Sequence, residues 1–184
     1  MKIVYLDTCI IISYLKKDDK FHNISKIIMN ASNLERIDSQ ITLIEIASVI
    51  SRQFENIKFN DHELKGWEEL NPHEKKATII LYLIEQLSIN FYVNLGTEKL
   101  NLKNQDFKIN IDFSKAFQIA PLFSLRTLDN LQLAACLNLK NVKNLKIDYF
   151  ITSDELILNQ SKIIQKLVDL TVIHPEKLIE IEHL

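Results

Sequence analysis

Glycine is scarce in this sequence, since only Gly66 and Gly96 occur among its 184 residues. Phosphate-binding motifs built on backbone N–H groups need several glycines at fixed spacing, because a Cβ would obstruct the approach of the phosphate. The shortage excludes a Rossmann fingerprint and a P-loop. If the protein acts on phosphate groups, side chains or a metal must supply the positive charge.

Arginine and cysteine are also rare. Three of the 22 basic residues are arginine and the net charge is −2, which argues against a non-specific coat of nucleic acid but still allows a local basic groove. Cys9 and Cys136 both lie in apolar helical patterns, which favours buried thiols over a disulfide or a metal site. This cysteine usage is typical of a reducing compartment, so we expect a cytoplasmic protein.

Long apolar runs are missing as well. The stretch around residues 77–84 is too short to span a bilayer, and Asp7 interrupts the apolar N-terminus. We therefore expect neither a membrane anchor nor a secretion signal.

Short apolar runs alternate with helical patterns along most of the chain. Strands are predicted at residues 2–6, 35–41, 148–151 and 170–173, and helices at 8–17, 22–33, 42–52, 113–123, 127–140 and 152–167. Strands separated by helices pair in parallel and carry helices on both faces. The pattern predicts an α/β fold with three layers, α/β/α, around a central and mostly parallel sheet.

The middle of the chain breaks this alternation. Residues 53–75 lose periodicity and fit an inserted connection with a short helix, whereas residues 76–89 predict an apolar helix. Residues 90–111 alternate in two runs around Gly96, as strands or an edge hairpin do. We expect residues 1–184 to form a single domain whose middle segment, 53–110, is enlarged.

Four acidic residues occupy equivalent local positions near predicted helix starts. Asp7 follows the first strand, Glu45 lies in the first predicted turn of the helix after the second strand, and Asp154 follows the strand ending at 151. Asp129 opens the helix after Arg126, whose side chain can pair with a carboxylate or contact a phosphate. Strand-to-helix junctions of a parallel sheet all lie at its C-terminal edge, so three of these acids share one edge and Asp129 can join them.

Helix capping explains each acid taken alone. The segments from Thr42 to Glu45 and from Thr152 to Glu155 match the capping box, and Asp7 fits an N-cap. Carboxylates in a first turn gain about 0.3 to 1 kcal/mol from the helix dipole. The joint arrangement of four acids is what favours a functional site.

Four converging carboxylates need a counter-charge. Two unit charges 4 Å apart repel by about 4 kcal/mol at an effective dielectric constant of 20. Oxygen ligands without paired His or Cys favour Mg²⁺ or Mn²⁺ over zinc. Ions of this kind can activate water for phosphodiester hydrolysis, and they remove the need for a glycine-rich phosphate cradle.

The segments around these acids resemble the four acidic motifs of the PIN domain, in the family's order. They are LDTCIIISYL around Asp7, TLIEIASVI around Glu45, LRTLDNLQLAAC around Asp129 and FITSDELIL around Asp154. The resemblance covers residues 1–52 and about 111–173. It implies that these four acids are catalytic and hold Mg²⁺ or Mn²⁺ or its waters.

The resemblance also implies supporting residues and an activity. Hydroxyl groups that orient the carboxylates are expected from Thr8, Thr152 and Ser153. The implied reaction is hydrolysis of RNA by attack of water on phosphorus, leaving a 5′-phosphate and a 3′-hydroxyl. Many small prokaryotic members are the toxin of a toxin–antitoxin pair, so the expected partners are an RNA substrate, a small antitoxin protein and a second copy of the chain.

Other functions stay open on the sequence alone. A phosphatase of the haloacid-dehalogenase type also begins with a strand ending in Asp, but it requires a second Asp where this chain has Cys9. A non-catalytic PIN-like scaffold that binds protein or RNA, and a housekeeping RNA-processing nuclease, both remain compatible with the motifs.

Overall fold

A computed structural model of the chain describes residues 1–54 and 66–184. The strands are β1 (Lys2–Leu6), β2 (Leu34–Ser39), β3 (Asn90–Tyr92), β4 (Thr97–Leu102), β5 (Gln105–Asn110), β6 (Ile147–Ile151) and β7 (Val172–Ile173). The helices are α1 (Thr8–Leu15), α2 (His22–Asn30), α3 (Gln40–Gln53), α4 (Pro72–Glu85), α5 (Ile111–Ile119), α6 (Thr127–Val142), α7 (Glu155–Asn159), α8 (Ser161–Val168) and α9 (Pro175–Glu182). Short 3-10 helices lie at Trp67–Glu69 and Ala120–Leu122.

Within these ranges, five strands form a sheet in the order β3-β2-β1-β6-β7. Every neighbouring pair is parallel, and the central strand β1 places Lys2 opposite Leu34 of β2 and Tyr5 opposite Phe150 of β6. The chain builds the sheet on one side of β1 and then returns to the other side. In open α/β sheets, such a reversal leaves a ligand-binding crevice at the C-terminal ends of the strands.

The core lies on both faces of this sheet. Tyr5 of β1 points to one face, where it packs with Phe150 and with the apolar side of α6. Val4 and Leu6 point to the opposite face, because side chains alternate along a strand, and there they pack with residues of α1, α2 and α3. The predicted three-layer α/β/α fold with a central parallel sheet is confirmed.

Helix α6 is the most deeply embedded helix that the structure describes. Its residues from Asn130 to Leu139 are all buried, including polar Gln132 and Asn138. A helix buried around its whole circumference needs partners for every polar side chain that it carries. Those partners position the candidate site.

Several predicted boundaries are wrong, among them that of α3, which begins at Gln40 rather than at 42. Helix α4 begins at Pro72 rather than at 76, because Asn71 Oδ1 accepts from the N–H groups of His73 and Glu74 and the Glu74 carboxylate accepts from the N–H of Asn71. The single helix predicted at 152–167 is divided at Gln160 into α7 and α8. The hairpin turn lies between β4 and β5, not around Gly96.

Two residues with positive φ make that turn. Lys103 and Asn104 have φ values of 50° and 65°, whereas Gly96 precedes β4 and donates its N–H to Asn94 Oδ1. Part of the predicted inserted connection, residues 55–65, lies outside the described residues. A single domain with an enlarged segment 53–110 stays a prediction.

No helix in the described ranges has both the length and the apolar character needed to cross a membrane.

Candidate active site

Asp7 lies at the C-terminal end of β1 and is 7% exposed. It occupies the N-cap position of α1, but its side chain makes no capping hydrogen bond. Instead, Asp7 Oδ2 accepts hydrogen bonds from Thr152 Oγ1 at 2.5 Å and from Cys9 Sγ at 3.3 Å. Burial raises the pKa of Asp7 from 3.8 to about 6, against the effect of these hydrogen bonds. The Asp7 carboxylate therefore bonds to side chains at the C-terminal edge of the sheet and does not cap α1.

Glu45 lies in the second turn of α3, because that helix begins at Gln40 with Ser39 as its N-cap. The capping box predicted from Thr42 to Glu45 is therefore wrong. Glu45 Oε2 accepts hydrogen bonds from Thr8 Oγ1 at 2.8 Å and from Gln132 Nε2 at 3.1 Å. Thr8 belongs to α1, which follows the central strand β1, and Gln132 belongs to α6, which packs against it.

Asp154 is the N-cap of α7, and its Oδ1 accepts from the N–H of Leu156 at 2.7 Å. The predicted capping box from Thr152 to Glu155 is wrong, since Thr152 is occupied elsewhere. Its Oγ1 accepts from the N–H of Asp154 at 2.9 Å and donates to Asp7. Thr152 thus joins two of the four acids.

Asp129 is the third residue of α6, and its Oδ2 accepts from the N–H of Arg126 at 3.2 Å. The pKa of Asp129 is raised by burial and by the charges of Asp154 and Glu45. The side chain of Arg126 is 71% exposed and places Nη1 3.9 Å from Asp154 Oδ2. The guanidinium therefore lies at the rim of the acidic edge.

Electrostatic interactions connect all four acids. The charges of Glu45 and Asp129 raise the pKa of Asp7, and the charges of Asp154 and Glu45 raise that of Asp129. Carboxylates raise one another's pKa only when they are near each other in a shielded setting. The C-terminal edge of the sheet around β1 is therefore a concentrated site of negative charge.

The donor set fits a divalent cation that keeps part of its water shell. Among the described residues, no group of three or more His, Cys, Asp and Glu side chains is arranged to hold a metal ion directly. Mg²⁺ in proteins is commonly held by one or two carboxylates and several waters. The described hydrogen bonds of Asp7 and Glu45 each reach a single oxygen, Oδ2 and Oε2. If a cation binds here, the other oxygen of each carboxylate would hold it.

Not every residue named from the sequence reaches a carboxylate. Thr8 and Thr152 do, but the N–H and Oγ of Ser153 both donate to Cys9 Sγ at 3.3 Å. Cys9 is an intermediate contact, because it donates in turn to Asp7. Burial raises the pKa of the Cys9 thiol to about 12, so the group remains a neutral donor.

Sequence reasoning missed Gln132 and Asp38. Gln132 interrupts the apolar run of α6 three residues after Asp129, and Asp38 interrupts the apolar pattern of β2. Both are almost completely buried. A polar residue inside an otherwise apolar run is the signal that could have identified them.

Comparison with known proteins places this geometry in a family. The PIN domain model matches residues 4–158. No curated protein matches the chain. Two solved structures align with it. VapBC2 from Rickettsia felis, bound to a DNA fragment from their promoter, is 12% identical with a TM-score of 0.48, and the alignment covers 94% of this chain and 98% of that one. VapBC-1 from nontypeable Haemophilus influenzae is 18% identical with a TM-score of 0.47, and the alignment covers 95% of this chain and 98% of that one. Because the family model spans most of the sequence, the chain belongs to the PIN domain family, a family of nucleases that generally use divalent metals.

Proposed function

We propose that this protein is a Mg²⁺- or Mn²⁺-dependent ribonuclease that hydrolyses RNA phosphodiester bonds, and that it is the toxin of a cytoplasmic toxin–antitoxin pair. The observation that carries the proposal is the placement of acidic residues at the C-terminal end of β1, where Thr152 bonds to Asp7 and to the N–H of Asp154 and Thr8 bonds to Glu45. The mutual effect of Asp7, Glu45, Asp129 and Asp154 on their pKa values agrees with this placement. Such a concentration of carboxylates costs free energy in the folded protein unless a cation neutralises it. Binding a cation there is the function that compensates for this cost.

The residues have distinct roles in this proposal. Asp7 and Glu45 bind the cation through their free oxygens, while Asp129 and Asp154 bind it or its waters. When bound, a divalent cation supplies the charge that makes water a nucleophile at neutral pH and stabilises the attacking and leaving oxygens. Thr152 and Thr8 hold the Asp7 and Glu45 carboxylates in fixed orientations through their hydroxyl groups.

The proposal assigns Arg126 as a contact to the RNA backbone. An exposed ion pair with a separation of 3.9 Å adds little to stability. A guanidinium at the rim of an acidic site is well suited to bind phosphate through paired hydrogen bonds. Arg126 can therefore exchange Asp154 for a substrate phosphate without a large loss of folding free energy.

Asp129→Asn tests the proposal. The Asn side chain retains an oxygen for the Arg126 N–H but removes the charge, so Mn²⁺-dependent cleavage of single-stranded RNA should fall at least about a hundredfold while the circular dichroism spectrum is unchanged. Asp148→Asn is the matched control, because Asp148 lies near the opposite end of β6 and accepts from the N–H of Ile3. Full cleavage by Asp129→Asn would disprove the assignment.

Calorimetry with Mn²⁺ separates a nuclease from a non-catalytic scaffold. Binding that disappears in the double variant Asp7→Asn, Asp129→Asn supports the nuclease. No binding by the wild-type protein, or binding that the double variant retains, supports a PIN-like scaffold for protein or RNA.

Growth arrest separates a toxin from a housekeeping nuclease. Expression of the wild-type chain alone should arrest growth, and expression of Asp129→Asn should not. Co-expression with the product of a short adjacent reading frame then tests for the antitoxin. Light scattering of the purified chain tests the proposed homodimer.

A further inference from the structure

A buried polar network lies behind Glu45. Its members are Gln132 of α6, Tyr5 of β1, Thr42 of α3 and Asp38 of β2, and each is at most 1% exposed. Buried polar side chains are costly unless their donors and acceptors are satisfied. The hydrogen-bonding pattern of this network therefore constrains where its protons lie.

Gln132 is the centre of the network. Its Oε1 accepts from Tyr5 OH at 2.8 Å and from Thr42 Oγ1 at 3.0 Å. Its Nε2 donates to Thr8 Oγ1 at 2.8 Å and to Glu45 Oε2 at 3.1 Å. The opposite orientation of the amide would place a carbonyl oxygen against the Glu45 carboxylate, and two acceptors repel at that distance. Glu45 therefore fixes the amide orientation.

The amide orientation determines the protonation of Asp38. Thr42 has one hydroxyl proton, and Gln132 Oε1 can only accept it. Thr42 Oγ1 also makes a close hydrogen bond with Asp38 Oδ1, and the same Oδ1 accepts from the N–H of Ser39 at 2.8 Å. If the Thr42 proton goes to Gln132 Oε1, the proton between Thr42 and Asp38 comes from Asp38 Oδ1, which as a hydroxyl oxygen can still accept from Ser39. Two further observations agree: Asp38 Oδ2 has no hydrogen-bond partner among the described residues, and burial raises the pKa of Asp38 well above its ordinary value.

We propose that Gln132 is a positioning residue that orients Glu45 for cation binding, and that a neutral, protonated Asp38 holds Gln132 in place through Thr42. This inference rests on the proposed function, because Glu45 is one of the carboxylates assigned to the cation. Hydrogen bonds donated in sequence from Asp38 to Thr42 to Gln132 end at Glu45 Oε2. The Glu45 carboxylate is thereby held by one oxygen, and the other oxygen is the one that the proposed function assigns to the cation.

The first test measures Mn²⁺ affinity. Gln132→Met keeps the length of the side chain but removes the donor, and the dissociation constant for Mn²⁺ should rise about tenfold, as for other residues that orient metal ligands. Asn138→Leu is the matched control, because it removes another buried amide from the same helix, one that donates to Asp112 instead of Glu45. It should lower the melting temperature and leave Mn²⁺ affinity unchanged.

Thr42→Val provides a second variant if Gln132→Met does not fold. It preserves the shape of the side chain, breaks the connection between Asp38 and Gln132, and should weaken Mn²⁺ binding in the same direction. Unchanged Mn²⁺ affinity in a folded Gln132→Met or Thr42→Val protein overturns the inference and leaves the nuclease proposal intact.

The second test needs no metal. In the metal-free protein, the Nε2 protons of Gln132 should exchange slowly with solvent, and Glu45→Gln should accelerate the exchange because it removes the charged acceptor. Infrared difference spectra should contain a protonated carboxylic acid band at neutral pH that is missing in Asp38→Asn. Fast exchange, or no such band, overturns the inference even if the protein cleaves RNA. A wild-type chain that passes this test but binds no Mn²⁺ overturns the proposed function and the role of Gln132 in cation binding, and it leaves only the neutral Asp38 and its hydrogen bonds through Thr42 to Gln132.

Discussion

Burial of Asp7 disfavours the ionised form of its carboxyl group. In the unfolded chain its pKa is near 3.8, whereas burial raises it to about 6 in the folded protein. Between these pH values the folded state binds a proton that the unfolded state does not, so the free energy of unfolding falls as the pH rises through this window. The two pKa values correspond to about 3 kcal/mol from this group. Above about pH 6, an ionised Asp7 therefore destabilises the metal-free protein.

Asp7→Asn should increase the stability of the metal-free protein by up to about 3 kcal/mol near pH 7.5 and leave it nearly unchanged near pH 4, because the wild-type carboxyl is already protonated there. The same variant should lose Mn²⁺ binding. Urea denaturation in the presence of EDTA at the two pH values measures the effect. A variant less stable than wild type at the higher pH would contradict it.

At the scale of elements, periodicity predicts where strands and helices lie but not always where they start. Strand β1 and helix α6 match their predicted ranges closely, because apolar residues recur at the spacing of each structure. The predicted start of α3 at residue 42 is wrong because Ser39 and Thr42 are both good N-cap residues. Thr42 is unavailable as a cap, since its hydroxyl bonds to Asp38 and to Gln132, 90 residues away. No local pattern contains that contact.

The hairpin of β4 and β5 shows the same limit. Gly96 is the obvious turn residue in the sequence, but the register pairs Thr97 with Asn110 and Leu102 with Gln105. The turn therefore falls on Lys103 and Asn104, which adopt positive φ despite their side chains. Pairing between strands decides the position of the turn here, against the glycine signal.

Replacing Lys103 and Asn104 by Asn and Gly should raise the free energy of unfolding by about 0.5 kcal/mol, because Asn-Gly is the preferred pair for a two-residue hairpin turn with positive φ. Lys99→Gly, an exposed position within β4, is the control and should lower it. Chemical denaturation of both variants provides the comparison. A loss of stability on introducing Asn-Gly would show that the turn differs from the one described.

At the scale of the whole molecule, the sheet order brings distant segments to one edge. The four acids are named from the sequence because each lies near a helix start and in a family motif, and their catalytic role stays a prediction. Gln132 and Asp38 stand out as polar residues inside apolar runs, but nothing local says which groups they bond to. Their partners come from different elements: Tyr5 from β1, Thr42 from α3 and Glu45 from the next turn of α3.

Mn²⁺ should stabilise the whole protein, because it binds the folded state and relieves the repulsion at this edge. At a free concentration about 100 times the dissociation constant, the gain is about 2.7 kcal/mol, which corresponds to a rise in melting temperature of roughly 5 to 10 °C for a chain of this size. EDTA should reverse the shift. An equal shift in the double variant Asp7→Asn, Asp129→Asn would locate cation binding elsewhere.

The central position of β1 makes the acidic edge depend on segments that are far apart along the chain. The hydroxyl of Thr152, which donates to Asp7, lies 145 residues further along the chain than Asp7 does. Pairing between such distant segments forms late in folding. The acidic edge around β1 therefore cannot be complete until β6 and Asp154 have been made and β6 has paired with β1.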